Sequence, residues 1–216
     1  MAVSVAVGCG VVSSSSKTVD LTDLSPLPTP DKAASAEGKQ TAVFAGGCFW
    51  GLEAVFEHVK GVIDVKNGYV GGTKATADYE TVSTGTTGHA ESVMITYDPT
   101  KVTYQQLLNI FFSVAHDPTE LNFQGPDHGT QYRSAIFYTS EEQKTLALQY
   151  IDAINKSKAF SKPVVTEIVP LKTFYEAEDY HQNYLALHPT QPYIVINDAP
   201  KVADLKKRFP DLYVEK

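Results

Sequence analysis

Cysteine is scarce in this 216-residue sequence, which contains only Cys9 and Cys48. Two cysteines are too few for a disulfide framework, and neither has the neighbouring cysteines or histidines that would form a structural zinc site. The six histidines show no metal-ligand spacing, so we expect no metal and no other cofactor. If Cys48 has a function, it therefore acts as a thiol.

Positive charge is scarce as well. The 18 lysines and arginines are outnumbered by 25 aspartates and glutamates, the net charge is -7, and no run is rich in Lys or Arg. Nucleic acid is therefore not an expected partner. The glycine-rich segments GYVGG and STGTTG lack the lysine and the strand, loop and helix order of a phosphate-binding loop. The overall composition, 43% apolar and 20% charged, is that of one folded domain, which we expect to be a monomer.

Residues 1–40 differ in composition from the rest of the chain. A short apolar run is followed by SSSS and by a stretch rich in Pro, Ser and Ala, which cannot build a packed core. We predict a disordered tail here and a folded domain at residues 41–216. The letters AVGC, ending at Cys9, resemble a bacterial lipoprotein cleavage site, although Ala6 replaces the usual leucine and no basic residue precedes Lys17. We expect a cytoplasmic protein, or one in the bacterial cell envelope or periplasm if Cys9 is lipidated; the alternative is an incidental cysteine.

The folded part alternates between strand-like and helix-like segments. Strands are predicted in TAVFAGG, GVIDVKNGYVGG, HAESVMITYDP, QYRSAIFY and PVVTEIV. Helices are predicted in FWGLEAVFEHV, YQQLLNIFFSVA, EEQKTLALQYIDAINKS, FYEAEDYHQNYLALH and PKVADLKKRF. Thr103 is the expected N-cap of the second helix, and Ser140 with Gln143 the expected capping box of the third. This order predicts an α+β fold, a two-layer ferredoxin-like sandwich in which helices flank a mixed β-sheet.

Cys48 lies where the first strand turns into the first helix, in the segment AGGCFWGLEA. The free N–H groups and the dipole of a helix N-terminus lower a cysteine pKa, which favours the nucleophilic thiolate. Two glycines before Cys48 allow a sharp turn, and Gly51 relieves crowding in the first helical turn. Phe49 and Trp50 suit a shallow apolar pocket beside the sulfur. The alternative is that Cys48 is a small buried hydrophobe and Phe49 a core residue.

Five motifs stand in a fixed order between Thr41 and Pro192: GCFWG, GYVGG, YETVSTGTTGHAESVMITYDP, DHGTQYRSAIF and EDYHQNYL. Together they resemble the A-type peptide methionine sulfoxide reductases. The resemblance implies thiol-dependent reduction of the S epimer of methionine sulfoxide, protein-bound and free, as repair of oxidative damage. In that reaction Cys48 attacks the substrate sulfur and becomes a sulfenic acid, the first step of cysteine oxidation.

The resemblance also implies roles for other residues. Glu91 in GHAES matches the acid that protonates the sulfoxide oxygen, and an apolar pocket would raise its pKa enough to hold a proton near neutrality. An exposed strand glutamate is the alternative. Tyr79 and Tyr132 match two tyrosines whose hydroxyls donate hydrogen bonds to that oxygen. Other family positions that support the pocket or the later steps are matched by Asp127, Asp179, His181 and Tyr184.

No cysteine follows Cys48, and Ser83 stands where many relatives carry one. The C-terminal RFPDLYVEK also lacks the Gly/Cys-rich tail that supplies a second thiol in many relatives. The chain therefore resembles a one-cysteine member regenerated by an external reductant, which is thioredoxin, glutaredoxin or a small thiol. Cys9 is the one internal candidate. A thiol peroxidase and a binding module that grips methionine sulfoxide without turnover remain alternative functions.

Overall fold

The computed structural model describes residues 38–216, so the predicted tail up to residue 37, with Cys9, lies outside the described residues. The strands in chain order are β1 Gln40–Ala45, β2 Val62–Val70, β3 Ala90–Tyr97, β4 Phe123–Gln124, β5 Asp127–His128, β6 Ala135–Tyr138, β7 Glu167–Pro170 and β8 Phe174–Glu176. Six of them form one sheet in the order β7-β6-β1-β3-β2-β8, and β4 pairs with β5. Only β6 and β7 pair in parallel, which confirms the prediction of an α+β fold with a mixed sheet.

The helices are α1 Phe49–Glu57, α2 Tyr79–Val82, α3 Tyr104–Ile110, α4 Glu141–Ser157, α5 Tyr184–Leu187 and α6 Ala199–Arg208. The predicted capping box of α3 at Thr103 is confirmed. At α4, Ser140 accepts from the Gln143 backbone N–H as predicted, but the Gln143 side chain accepts from Thr139 instead of Ser140. None of the helices in residues 38–216 has the length and apolar character that crossing a membrane requires.

The main core lies between the sheet and α1, α3, α4 and α6. Phe44 of β1 is fully buried there and packs against Phe56 of α1 and Phe111, which follows α3. Seven of the nine residues of α1 are buried, so this helix is held on almost every side. Its N-terminus, where the thiol lies, is therefore fixed relative to the sheet.

One predicted helix is wrong. The segment FYEAEDYHQNYLALH forms β8, a 3₁₀ turn at Asp179–His181 and the short helix α5. Its first residues pair with β2, and the Gln182 side chain bonds to backbone groups of Asn67 and Ala177. Asn183 then adopts a left-handed conformation at φ 55°, which ends any continuous helix. These partners are distant in sequence, so helical periodicity did not reveal them.

Candidate active site

Cys48 is the N-cap residue of α1 and is 8% exposed. Gly47, which precedes it, has φ +94°, a conformation that residues with a Cβ rarely adopt. This turn directs the chain from β1 into α1. The backbone N–H of Trp50, in the first turn of the helix, lowers the pKa of the thiol, as a free N–H group at a helix N-terminus does.

Burial nevertheless decides the protonation of this thiol. It raises the pKa of Cys48 well above the usual value, and the charges of Glu91 and Asp198 raise it further. The backbone N–H of Trp50 and the charge of Lys201 lower this pKa, but by less. The lowered pKa expected from the helix N-terminus alone is therefore wrong for this structure, because desolvation of the charged form outweighs the helix.

Glu91 of β3 is 2% exposed, so it is not an ordinary solvated glutamate. Its Oε2 accepts a hydrogen bond of 3.1 Å from the backbone N–H of Phe49, the first residue of α1. Burial raises the pKa of Glu91 to about 8, although the Phe49 hydrogen bond lowers it; the charges of Asp127 and Asp198 raise it further. The carboxyl group therefore holds a proton at pH 7 and can donate it close to Cys48.

The two predicted tyrosines lie near this carboxyl group. Tyr79 begins α2, and Tyr132 ends the 3₁₀ turn Thr130–Tyr132. Burial raises the pKa of both hydroxyls, and the charges of Glu91 and Cys48 raise it further. Both hydroxyls therefore keep their protons and can donate hydrogen bonds to an oxygen bound beside the thiol.

An aromatic wall forms around Trp50. Its ring stacks on Tyr184 with centroids 3.7 Å apart and planes at 5°, and it meets the ring of Tyr193 edge to face with centroids 6.0 Å apart. The indole Nε1 donates a hydrogen bond of 3.1 Å to Nδ1 of His181. Burial lowers the pKa of His181, which keeps this acceptor nitrogen unprotonated. Phe49, by contrast, is fully buried in the core, which is the alternative that the sequence left open for it.

Two buried or half-buried glutamates hold these groups in place. Glu53 of α1 accepts from the backbone N–H groups of Asn183 and Tyr184, at 2.8 and 3.4 Å. Glu178 accepts from the hydroxyl of Tyr69 and from the backbone N–H of Tyr79, each at 2.9 Å. The positions of Tyr184 and Tyr79 therefore depend on carboxylates that the sequence motifs did not reveal.

The structure brings most of the other predicted residues to the site. Asp127 of β5 accepts a hydrogen bond from the hydroxyl of Tyr193, and His181 and Tyr184 contact Trp50. Asp179 is exposed at the start of a 3₁₀ turn, and none of its contacts reaches the thiol. Tyr193 was missed by the sequence analysis because nothing in the sequence distinguishes it from the others among the 12 tyrosines of the chain.

Ser83, which stands where many relatives carry a cysteine, is the exposed C-cap residue of α2. Its hydroxyl donates a 2.6 Å hydrogen bond to the backbone oxygen of Tyr79. Among the residues that the structure describes, Cys48 is the sole cysteine. A second thiol in this part of the chain is therefore excluded.

Comparisons with known proteins agree with this geometry. Residues 40–212 match the family model described as peptide methionine sulfoxide reductase. A peptide methionine sulfoxide reductase of Mesorhizobium japonicum is 63% identical over 182 residues, which cover 84% of this chain and 93% of the relative. A second one, from Synechocystis, is 50% identical over 213 residues, which cover 98% of this chain and 97% of that relative.

Solved structures show the same similarity. Methionine sulfoxide reductase A of Corynebacterium diphtheriae superposes with a TM-score of 0.62 at 34% identity, covering 76% of this chain and 85% of that one. Mxr1 of Saccharomyces cerevisiae in reduced form superposes with a TM-score of 0.65 at 34% identity, and the match covers 71% of this chain and 87% of Mxr1. The chain therefore belongs to the peptide methionine sulfoxide reductase family and is an oxidoreductase that reduces methionine sulfoxide to methionine.

Proposed function

We propose that the enzyme reduces the S epimer of methionine sulfoxide, protein-bound and free, through a sulfenic acid on Cys48. The observation that carries this proposal is the hydrogen bond between Phe49 N–H and Glu91, which places a protonated carboxyl group at the same helix N-terminus as the thiol. A nucleophile and a proton donor are thus fixed side by side.

The proposed step balances without a cofactor. The sulfur of Cys48 attacks the sulfoxide sulfur and forms a transient sulfur–sulfur bond, Glu91 gives its proton to the sulfoxide oxygen, and the thiol proton restores Glu91. The sulfur–sulfur bond breaks again when the oxygen moves to Cys48. A bond between Cys48 sulfur and that oxygen forms as the sulfoxide bond breaks, so Cys48–SH and R₂SO become Cys48–SOH and R₂S. Tyr79 and Tyr132 stabilise the oxygen by hydrogen bonds while charge develops on it.

The aromatic wall favours a thioether substrate over a hydroperoxide. Trp50, Tyr184 and Tyr193 offer an apolar surface suited to the methyl group of methionine sulfoxide. A thiol peroxidase would need a polar surround for its thiolate, whereas here burial raises the pKa of Cys48. A binding module without turnover would need neither the nucleophile nor the acid.

We also infer that this is a one-cysteine enzyme whose sulfenic acid is reduced by thioredoxin, glutaredoxin or a small thiol. The support is the absence of a cysteine from every position after Cys48. Cys9 lies outside the described residues, and its proposed lipidation, with a place in the cell envelope, stays a prediction. A lipidated Cys9 could not resolve the sulfenic acid.

A ferredoxin-like arrangement of the central strands is the finer proposal for the fold. Its support is the antiparallel order β6-β1-β3-β2, in which α1 connects β1 to β2 and α3 lies between β3 and β6. This order is that of a split βαβ unit.

The direct test is a dithiothreitol-coupled assay on free and peptide methionine sulfoxide with the two sulfur epimers separated. We expect reduction of the S epimer and loss of turnover in Cys48→Ser. Equal reduction of both epimers, or faster reduction of a hydroperoxide, would contradict the proposed substrate.

The sulfenic acid is tested by turnover without reductant. We expect one equivalent of methionine per enzyme and one added oxygen on Cys48, seen by mass spectrometry of the untreated protein. In a second sample, a sulfenic-acid reagent should leave its adduct on Cys48. The matched control is Cys9→Ser, which should behave in the same way. A Cys9–Cys48 disulfide in the unsubstituted protein, which removes two hydrogens, would overturn the one-cysteine proposal.

A further inference from the structure

An ion pair from the C-terminal segment lies beside the nucleophile. Lys201 of α6 places Nζ 3.2 Å from Oδ1 of Asp198, which immediately precedes that helix. The Asp198 side chain is fully buried, while that of Lys201 is 25% exposed. Lys201 therefore reaches from solvent to a buried carboxylate. Neither residue belongs to the motifs that carry the family resemblance.

The position of the pair follows from Gly51. A Cβ placed on Gly51 would lie 2.7 Å from Lys201 Nζ and closer still to Asp198 Oδ1, so the pair occupies the space of the missing side chain. Gly51 lies three residues after Cys48, and residues at this spacing are neighbours on one helix face. Side chains on a helix also lean toward its N-terminus. The ion pair therefore lies against the helical turn that follows the thiol, and both of its charges act on the thiol pKa.

Stability does not account for this arrangement. Oδ2 of Asp198 has no hydrogen-bond partner among residues 38–216, and Asp198 makes no side-chain capping bond to α6. A buried carboxylate with one partner is costly, and glycine inside a helix costs about 1 kcal/mol relative to alanine. Features that cost stability and surround a reactive group are more often functional than structural.

The geometry points to Lys201, positioned by Asp198, as the side chain that receives the incoming thiolate of the external reductant when the Cys48 sulfenic acid is reduced. This inference rests on the proposed function. The reductant is a thiol, which loses its proton to solvent before it attacks. Its sulfur bonds to Cys48 sulfur and is oxidised, while the bond from Cys48 sulfur to oxygen breaks, and the departing hydroxide takes a proton to leave as water. A second thiolate then attacks the reductant sulfur and releases Cys48.

Charge at the site explains why a cation is needed. The charges of Glu91 and Asp198 act on the Cys48 sulfur, and that of Asp127 acts on Glu91. An approaching thiolate is repelled by whichever of these carboxyl groups are ionised. The positive charge of Lys201 opposes these carboxyl groups, because it lowers the pKa of both Cys48 and Asp127. A partly exposed ammonium next to the reacting sulfur raises the local concentration of an anionic nucleophile.

The test separates the two half-reactions. The first is methionine formation in a single turnover without reductant. The second is the reaction of the preformed sulfenic acid with dithiothreitol, which is monitored by the fluorescence of Trp50, the only tryptophan.

In Lys201→Met, we expect the rate constant of the second reaction to fall about tenfold more than that of the first, which is the low end of the effect of electrostatic steering. Lys201→Arg should restore most of the loss. Lys207→Met, on the same helix and exposed, is the matched control and should match the unsubstituted enzyme.

Each alternative outcome is distinct. Equal slowing of both half-reactions in Lys201→Met would overturn the inference and indicate a structural or thiol-tuning role. A larger effect on methionine formation than on reduction of the sulfenic acid would overturn it as well. So would a Lys201→Arg enzyme whose rate of sulfenic acid reduction is as low as that of Lys201→Met. If the unsubstituted enzyme forms no methionine without reductant, the proposed function fails instead, before any variant is compared.

Discussion

The backbone N–H of Phe49 donates a 3.1 Å hydrogen bond to Oε2 of Glu91, across 42 residues of sequence. Phe49 is the first residue of α1, so its N–H has no partner within the helix. The bond ties the acid on β3 to the turn that carries Cys48. It also favours the ionised carboxylate, yet burial is the larger effect and leaves the pKa of Glu91 at about 8.

Glu91→Gln should slow methionine formation in a single turnover by roughly 10²–10⁴-fold, the usual contribution of general acid catalysis. Glutamine keeps the size of the side chain and can still accept from Phe49, but it cannot give up a proton. Rapid-quench measurement of methionine gives the rate. Glu142→Gln on the exposed face of α4 is the control and should have no effect. An unchanged rate in Glu91→Gln would remove this residue from the chemical step.

The contribution of Glu91 to stability should fall as the pH rises from about 5 to 9. The pKa of Glu91 is about 8 in the folded protein, against 4.5 as its ordinary value, so the unfolded chain releases this proton first. The stabilisation is fully present below pH 4.5 and is lost as the pH rises through 8. Between these values the free energy of unfolding falls by up to about 1.4 kcal/mol for each pH unit.

Urea titrations at several pH values measure this loss, which should be smaller in Glu91→Gln. Some pH dependence will remain in that variant, because burial also raises the pKa of Glu53 to about 7. Identical pH dependence in both proteins would contradict the raised pKa of Glu91.

Tyr184→Ala should raise the KM for methionine sulfoxide several-fold. The substitution removes the ring stacked 3.7 Å from Trp50, and such pairs contribute about 0.5–1.5 kcal/mol beyond their buried area. Trp50 would then lose the support that holds it at the pocket. Tyr184→Phe keeps the ring and is the matched control, with a KM close to that of the unsubstituted enzyme. If both variants bind substrate equally well, the stack does not shape the pocket.

Gly51→Ala should destabilise the protein. In an open helix position this change stabilises by about 0.4–1 kcal/mol, so the sign of the effect is informative. Here the new methyl group would overlap Asp198 and Lys201, and overpacking costs about 1–3 kcal/mol. Urea unfolding measures the difference. A more stable Gly51→Ala protein would show that the ion pair moves aside freely and does not require glycine.

Local pattern predicted most of the elements, but not the segment 174–188. Helical spacing within α1 and the β-branched runs of β1 to β3 are properties of neighbouring residues, and they are read without knowing the fold. The segment after β7 has helical spacing too. Its conformation is set instead by pairing with β2 and by the Gln182 amide, which bonds to the backbone of Asn67. Such bonds between distant residues override local preference.

The candidate site divides in the same way. The segment around GCFWG by itself determined the strand, turn and helix that carry Cys48, and the segment around GHAES placed Glu91 on a strand, because these relations span only a few residues. Only the tertiary structure decided the protonation of both groups, since burial depends on what the rest of the chain covers. It also brought Tyr193, Asp198 and Lys201 to the thiol, through packing of the C-terminal segment on α1 that no local pattern encodes.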